Sequence, residues 1–184
     1  KETFVSELEK TNKKKYILNW FEKDAKKDDK KVPLNNLSGW GLSREKYKEM
    51  TSDIISKLNV KKNQKIFEFG CGVGAFLKII NEKYDNTLTL SGSDISENAL
   101  KKIKKIFPKM KDNFIKIEMT KKLPLDDNSQ NHVLSIGALG MYLYKPEMLK
   151  AIKEGVRILK PGGTLCISNL IEPGGKGQYS IIDP

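Results

Sequence analysis

The chain has 184 residues, enough for one domain of ordinary size, and 38% of them are hydrophobic, which suffices for a packed core. No apolar run approaches the roughly 20 residues that span a membrane, and a single histidine, His132, excludes a zinc site made of histidines and cysteines. The net charge of +11 comes from lysine, since only Arg44 and Arg157 are arginines, and this favours a solvated lysine surface over a nucleic-acid-binding face.

The two cysteines indicate the redox compartment. Cys71 and Cys166 are far apart in the sequence and lack the spacing of a metal site, so we expect reduced thiols and a cytoplasmic location. No signal peptide is visible, although the first residue is Lys, so upstream residues and a leader could have been removed.

The first 42 residues form a polar, lysine-rich segment, which we separate from the domain that follows, residues 43–184. The apolar residues of this segment have a spacing that predicts a helical stripe: Val5, Leu8, Tyr16, Ile17 and Trp20. Ser43 has the position of an N-cap for a helix that reaches about Leu58. The N-terminal segment is therefore predicted to be helical and to end in a turn before Ser43.

From Lys65 onward, strand and helix patterns alternate. The predicted strands are 66–69, 88–93, 114–119, 132–137 and 164–170, and the predicted helices are 74–84, 96–107 and 146–159. Pro108 ends the second of these helices, and residues 160–163 form a tight turn before the last strand. The alternation predicts an α/β fold with a doubly wound, mostly parallel sheet and helices on both faces.

The first predicted strand leads into three glycines at alternate positions. Gly70, Gly72 and Gly74 let the chain bend sharply and let a ligand approach the backbone, because side chains are missing there. The helix that follows points its free N–H groups at whatever lies in the turn. This pattern predicts a binding site for an adenosine-type cofactor.

Two classes of cofactor fit the turn. Gly70-x-Gly-x-x-Ala75, with Asp94 about 20 residues beyond it, matches the dinucleotide fingerprint of a nicotinamide-dependent oxidoreductase, but this match alone is weak. Three further features change the interpretation. Glu68 stands two residues before the first glycine, Gly74 adds a glycine, and a Leu159-Lys-Pro-Gly-Gly163 turn precedes the fifth strand.

Together these features resemble the class I S-adenosylmethionine-dependent methyltransferases, in their small-molecule branch. The family motifs are matched by Glu68-Phe-Gly-Cys-Gly-Val-Gly74, Asp94, Leu123-Pro124 and Arg157-Ile-Leu-Lys-Pro-Gly-Gly163. The resemblance covers about residues 43–172 and contains four elements in the family's order. It implies a Rossmann-like sheet of seven strands in the order 3-2-1-4-5-7-6, and S-adenosylmethionine as the cofactor.

The resemblance also implies roles for individual residues. Asp94 would accept hydrogen bonds from both ribose hydroxyls, Ile95 would pack against the adenine, and Glu68 would reach the ammonium group of the cofactor. The turn leaves room for the methionine tail, and small residues after the fourth strand permit close approach to the sulfonium. The implied cofactor-binding residues are Glu68, Gly70, Cys71, Gly72, Gly74, Asp94, Ile95, Met119, Thr120, Gly137 and Ala138.

The chain departs from the family pattern at the adenine contact, at the start of the fourth strand, where Gln130-Asn131 replaces the usual Phe-Asp, and at the C-terminus. Met119 stands where the family has the acid that binds the adenine amine, so we expect a backbone carbonyl or Thr120 to make this contact. The last helix and hairpin of the family sheet have no visible sequence before Pro184. We therefore expect the C-terminal strands to be missing, through truncation or true absence, and the fifth strand to have an exposed edge.

The acceptor side is expected to include an N-terminal lid, as the resemblance implies. The candidate substrate and lid residues are Tyr16, Ser38, Trp40, Leu139 and Tyr142. Trp40 and Tyr16 could form an aromatic wall or a cation–π contact with an amine. Tyr142 is a weak candidate for a catalytic residue, whereas His132 stands at the beginning of the fourth strand, the wrong end for a ligand site.

The sequence thus predicts transfer of a methyl group to a small-molecule acceptor by direct in-line displacement, in which positioning supplies most of the catalysis. Three alternatives stay open: a methyltransferase that acts on RNA or protein, a non-catalytic methyltransferase-like subunit, and an NAD-dependent oxidoreductase. The identity of the acceptor and the oligomeric state are not predicted.

Overall fold

The structure, a computed structural model, describes residues 7–27, 43–169 and 178–182. Its helices are α1 (Glu7–Ala25), α2 (Arg44–Lys57), α3 (Ala75–Lys83), α4 (Glu97–Ile106), α5 (Leu139–Tyr142) and α6 (Lys145–Ile158), with a 3₁₀ turn at Pro108–Asn113. Both predicted serine caps are confirmed. Ser43 accepts a hydrogen bond from the Lys46 N–H at 3.3 Å, and Ser96 accepts one from the Ala99 N–H at 3.1 Å.

Six strands form one sheet in the order β3-β2-β1-β4-β5-β6. They are β1 (Lys65–Phe69), β2 (Thr89–Asp94), β3 (Phe114–Lys116), β4 (Gln130–Ile136), β5 (Leu159–Asn169) and β6 (Gln178–Ile182). The first five are mutually parallel, which confirms the predicted doubly wound sheet. The strand order reverses between β1 and β4, and the chain leaves both strands at the same edge of the sheet.

The expected exposed edge at β5 is wrong. β6 pairs antiparallel with β5 from Leu165, opposite Ile182, to Asn169, opposite Gln178. The β6 sequence, Gln178-Tyr-Ser-Ile-Ile182, contains the β-branched and aromatic residues that suit a strand. Its backbone groups pair with those of β5, so a short C-terminal strand is present where we expected none.

Two further predicted elements change their limits. β3 ends at Lys116 rather than at Met119; its last pair is Lys116 with Asp94, whose carbonyl accepts a hydrogen bond from the Ile117 N–H at 3.2 Å. The predicted 160–163 turn lies inside β5 as an irregularity. Gln130 of β4 pairs with Leu159 and His132 pairs with Thr164, so two residues of β4 lie opposite five residues of β5.

The two faces of the sheet have separate cores. Ile66 packs with residues of α2, α3 and α4, whereas Phe67 and Phe69 lie on the face that α5 and α6 cover. Because successive side chains of a strand alternate between faces, Glu68 shares the face of Ile66. The fold thus places a carboxylate within the apolar α2–α4 layer, directly before the glycine turn.

Arg157 of α6 fixes the segment that leads into β4. Its guanidinium donates to the Leu123 carbonyl at 3.1 Å and to the Leu125 carbonyl at 2.8 Å. It also donates to both carboxylate oxygens of Glu154, at 2.5 and 2.9 Å, and to Asp127 at 2.6 Å. Five donors in a planar fork allow this set of bonds, which a lysine could not reproduce.

Helix α1 lies against the glycine turn and the start of α4. Ala25 is buried with Val73 of the turn and Ala99 of α4. Farther along the same edge, the ring of Phe21 meets the ring of Tyr142 edge to face, with centroids 5.5 Å apart. None of the helices in the described ranges is both long and apolar enough to cross a bilayer.

Candidate functional site

The glycine turn is strained for any other residue. Gly70, Gly72 and Gly74 have φ values of +64°, +52° and +82°, in the left-handed region that glycine adopts at little cost. A Cβ on Gly70 would lie only 2.4 Å from the Cβ of Ala138, whereas a Cβ on Gly74 would lie 2.6 Å from Ile103 of α4. Gly70 therefore brings the β1 and β4 loops together, and Gly74 packs the turn against α4.

Asp94 connects this turn to the next helix. One carboxylate oxygen, Oδ2, accepts a hydrogen bond from the Gly72 N–H at 2.8 Å, and the other, Oδ1, accepts one from the Ser96 N–H at 2.8 Å. Burial raises the pKa of Asp94, and these backbone bonds oppose that rise. A carboxylate oxygen has more than one acceptor position, so both oxygens can still receive hydroxyl groups. Ile95, next in the chain, exposes its side chain beside this carboxylate.

Glu68 is the unusual group of the site. Its side chain is 3% exposed, and no described residue donates a hydrogen bond to its Oε2 atom. Burial raises the pKa of Glu68 well above its usual range, and the charge of Asp94 raises it further. A buried carboxyl group without a donor is costly, so this atom is suited to a ligand that brings an N–H group or a positive charge.

The electrostatic influence of Glu68 extends to its neighbours. The pKa of Cys71 is raised by burial, then by Asp94 and Glu68, and the pKa of Tyr47 is raised by burial and then by Glu68. Cys71 is therefore a protonated, buried thiol that lines the turn as a small apolar group. In the structure, its N–H donates to the Ser93 carbonyl at 3.0 Å.

The loop after β4 closes the other side of the turn. Gly137, at φ +74°, donates its N–H to the Ser168 carbonyl at 2.7 Å, and this places Ala138 against Gly70. Met119 is buried, with its sulfur near Gly70, and Thr120 is half-buried beside it. Leu139, which we expected beside the substrate, is buried in the core on the face that α6 covers, and its substrate contact stays a prediction.

The remaining predicted substrate and lid residues differ in their exposure and in whether the structure describes them. Tyr142 is half-buried, and its pKa is raised by burial and then by the charge of Asp94, which keeps the phenol protonated. Tyr16 lies on α1 with 73% of its surface exposed. Ser38 and Trp40 fall outside the described residues. Their predicted lid contacts, like those of Tyr16, stay predictions.

Two residues of α1 were not identified from the sequence. The Glu22 carboxylate accepts hydrogen bonds from the Glu97 N–H at 2.7 Å and from the side-chain amide of Asn98, and so caps α4 from a distant helix. Phe21 supplies the ring that meets Tyr142. No local pattern could have indicated either contact, because each joins residues many positions apart.

His132 lies at the opposite end of the sheet, as predicted. Its Nε2 atom is 2.8 Å from Oε1 of Gln64, and burial lowers its pKa to about 4. It lines a cavity of about 180 Å³ at the amino end of β4, remote from the glycine turn. Across the ranges that the structure describes, no three His, Cys, Asp or Glu side chains come together as a metal site.

The parallel sheet, the glycine turn and the acid at the end of β2 define a Rossmann-like domain. The model of the methyltransferase domain family matches residues 67–167, which is more than half of the chain and contains the turn, Asp94 and the β4 loop. The chain therefore belongs to the methyltransferase domain family.

Similar proteins support this assignment. The demethylmenaquinone methyltransferase of Staphylococcus epidermidis is 29% identical over 162 residues, which are 88% of this chain and 63% of the relative. The Staphylococcus aureus enzyme of that name is 29% identical over 154 residues, 83% of this chain and 59% of its own length. The chain thus spans about three fifths of the length of these curated relatives.

Solved structures confirm the fold. An S-adenosylmethionine-dependent methyltransferase from Aquifex aeolicus superimposes with a TM-score of 0.55 at 19% identity, over 68% of each chain. Phosphoethanolamine N-methyltransferase 1 of Haemonchus contortus, solved with phosphoethanolamine and S-adenosylhomocysteine, gives a TM-score of 0.67 at 18% identity. That match covers 89% of this chain and 33% of the nematode protein.

Proposed function

We propose that this chain is the catalytic domain of an S-adenosylmethionine-dependent methyltransferase that acts on a small molecule. The observation that carries the proposal is the unpartnered carboxyl oxygen of Glu68, buried behind the glycine turn and near Asp94. An ammonium group bound at Glu68 and ribose hydroxyls bound at Asp94 fit these two acids. Family membership supports the same cofactor.

When bound, S-adenosylmethionine supplies an activated methyl group on a sulfonium. The protein's own contribution is to bind, orient and exclude water. Gly70 and Ala138 bring two loops into contact without bulky side chains, and Asp94 holds the turn in place through Gly72. Positioning of this kind is worth about 7–11 kcal/mol in favourable cases, so no dedicated protein nucleophile is required.

We propose an acceptor with a planar apolar ring, and demethylmenaquinone is the specific candidate that the staphylococcal relatives suggest. We use the term cleft for the space between the glycine turn, Asp94 and the loop after β4. The charge of Asp94 acts on Tyr142, so the Phe21–Tyr142 ring pair lies at the edge of this cleft and offers aromatic surface. The phenol of Tyr142 stays protonated, so it can donate a hydrogen bond that orients a ring oxygen. We also propose a cytoplasmic location, since both cysteines are free thiols.

A thermal-shift assay with S-adenosylmethionine, S-adenosylhomocysteine and NAD tests the cofactor. We expect both adenosyl ligands to raise the melting temperature and NAD to leave it unchanged, because only a ligand of the folded state stabilises it. Asp94→Ala should abolish the shift, whereas Asp53→Ala, which removes an exposed carboxylate on α2, should not. A shift with NAD alone would support the oxidoreductase alternative instead.

A transfer assay with methyl-labelled cofactor then tests the acceptor. Demethylmenaquinone or a short-chain analogue should gain label, and Tyr142→Phe should lower the rate while cofactor affinity stays the same. Label that enters RNA or a protein would contradict the proposed acceptor class. Cofactor binding without any transfer would favour the non-catalytic alternative.

A further inference from the structure

Helix α1 carries large aromatic side chains on its outer surface. Tyr16 is 73% exposed and Trp20 is 41% exposed. They are four residues apart on the helix, Lys23 lies one turn farther along, and Lys27 follows just past the end of α1; both lysines are exposed. We call these four residues the α1 stripe. The α1 stripe thus combines two exposed aromatic rings with lysines whose stems can lie along apolar surface.

The exposed charges between residues 15 and 27 are all lysines: Lys15, Lys23, Lys26 and Lys27. The two acids between residues 15 and 27 are less exposed: the half-buried Glu22 caps α4, and the buried Asp24 pairs with Lys27 at 2.6 Å. Lys102 of α4 adds another cation, because its ammonium group donates to the Lys27 carbonyl at 2.6 Å. The surface that α1 presents therefore combines aromatic rings with positive charge.

The α1 stripe is continuous with the proposed cleft. The ring of Trp20 meets the ring of Phe21 edge to face, with centroids 4.9 Å apart, and Phe21 meets Tyr142 at 5.5 Å. A chain of three aromatic rings thus runs from the outer surface to the half-buried Tyr142. Whatever binds the α1 stripe lies next to the entrance of the cleft.

We propose that the α1 stripe docks on the surface of an anionic lipid bilayer. Tyrosine and tryptophan have an apolar body and a polar tip, which suits them to the boundary between head groups and acyl chains. Lysines beside them attract anionic lipids while their stems lie along apolar surface. Nucleic acid is the weaker alternative, because the described surface of α1 offers lysines and no arginine for bidentate phosphate contacts.

This docking is distinct from methyl transfer and does not depend on it. It would turn the outer surface with Tyr16 and Trp20 toward the bilayer. It would also bring the entrance of the cleft to a lipid phase, from which an apolar acceptor could enter along Trp20, Phe21 and Tyr142. The same position would make binding sensitive to lipid charge and to salt.

Co-sedimentation with vesicles tests the proposal on the whole chain. We expect binding to vesicles of three parts phosphatidylcholine and one part phosphatidylglycerol, weak binding to phosphatidylcholine alone, and release at 0.5 M salt. The double variant Tyr16→Ala/Trp20→Ala should reduce partitioning about tenfold or more, and Lys23→Glu about tenfold.

A matched control uses the other exposed apolar side chains of the domain. Leu149 and Val156 lie on α6, on the opposite face of the sheet, with 49% and 43% of their surface exposed. Leu149→Ala/Val156→Ala should sediment like the wild type. Circular dichroism at equal concentration checks that each variant is folded. If the aromatic double variant does not fold, Lys23→Glu provides a second test.

Three outcomes would overturn the proposal. One is the absence of wild-type binding to anionic vesicles. Another is an equal loss of binding in the α6 control. The third is displacement of the protein from vesicles by single-stranded RNA at lower concentration than the lipid, which would assign the α1 stripe to nucleic acid. Cofactor binding measured on the same samples shows separately whether the methyltransferase site is intact.

Discussion

Replacing Gly70 with alanine tests the close approach on which the cleft is built. Gly70 has φ +64°, where a side chain costs about 1–2 kcal/mol. The new Cβ would lie 2.4 Å from the Cβ of Ala138, far inside the 3.4–4 Å of ordinary contact. Such overpacking adds about 1–3 kcal/mol. We therefore expect Gly70→Ala to lower the free energy of unfolding by about 2–5 kcal/mol.

Gly162 provides a control with the same backbone strain and no steric overlap. Its φ is +72°, and a Cβ there would meet no atom within 4 Å. Gly162→Ala should therefore cost only the backbone contribution of about 1–2 kcal/mol. The difference between the two variants isolates the Gly70–Ala138 contact.

Urea unfolding measures both variants, with the slope m checked for constancy. Gly70→Ala should also bind S-adenosylhomocysteine at least about tenfold more weakly, which corresponds to about 1.4 kcal/mol, because the two loops must separate. Gly162→Ala should bind it like the wild type. Equal destabilisation by the two substitutions, together with unchanged affinity in Gly70→Ala, would refute the close-approach argument.

Three further predictions concern charged and titrating groups. His132 should titrate with a pKa of about 4, because burial favours the neutral ring. The free energy of unfolding should therefore fall by about 2–3 kcal/mol as the pH drops from 6.5 toward 4. Proton NMR of this single histidine measures the pKa directly. Glu68→Gln should gain stability relative to the wild type as the pH rises above 4.5, because the native wild type keeps a proton on Glu68 that the unfolded chain releases. Unfolding of both proteins at a series of pH values measures this difference in stability. Arg157→Lys should destabilise the fold by about 1–3 kcal/mol in urea unfolding, because the bonds to the Leu123 and Leu125 carbonyls are lost.

Each of these predictions has a control or a contrary result. A histidine pKa near 6.5 would mean that His132 is not buried as described. If the difference in unfolding free energy between the wild type and Glu68→Gln does not change with pH, the raised pKa of Glu68 is contradicted. As a control, Lys57→Ala breaks an exposed ion pair with Asp53 and should change stability by about 0.5 kcal/mol or less. An equally small effect of Arg157→Lys would contradict the role of Arg157 in holding the segment before β4.

The sheet and its turn were predictable because their signals are local. The alternation of strands and helices predicted the parallel sheet, and alternate glycines after β1 predicted a sharp bend, which the structure forms with positive φ at Gly70, Gly72 and Gly74. The serine caps at Ser43 and Ser96 were likewise evident from the residue before each helix. In these cases a few consecutive residues determine the geometry.

Other features depend on contacts between distant segments. The pairing of β6 with β5 covers an edge that the sequence suggested would be open. Glu22 caps α4 across 75 positions, and no spacing rule indicates such a contact. Leu139 has the same apolar character whether it faces a ligand or the core, and only the position of α6 decides that it is buried. Tertiary packing, rather than propensity, determines these positions.

A crystal structure of the protein with S-adenosylhomocysteine shows whether the two acids bind the ligand. We expect the ligand in the glycine turn, with its ribose hydroxyls hydrogen-bonded to the carboxylate of Asp94 and its amino group donating to the buried oxygen of Glu68. A ligand bound elsewhere, or one that leaves the oxygen of Glu68 without a donor, would contradict this expectation.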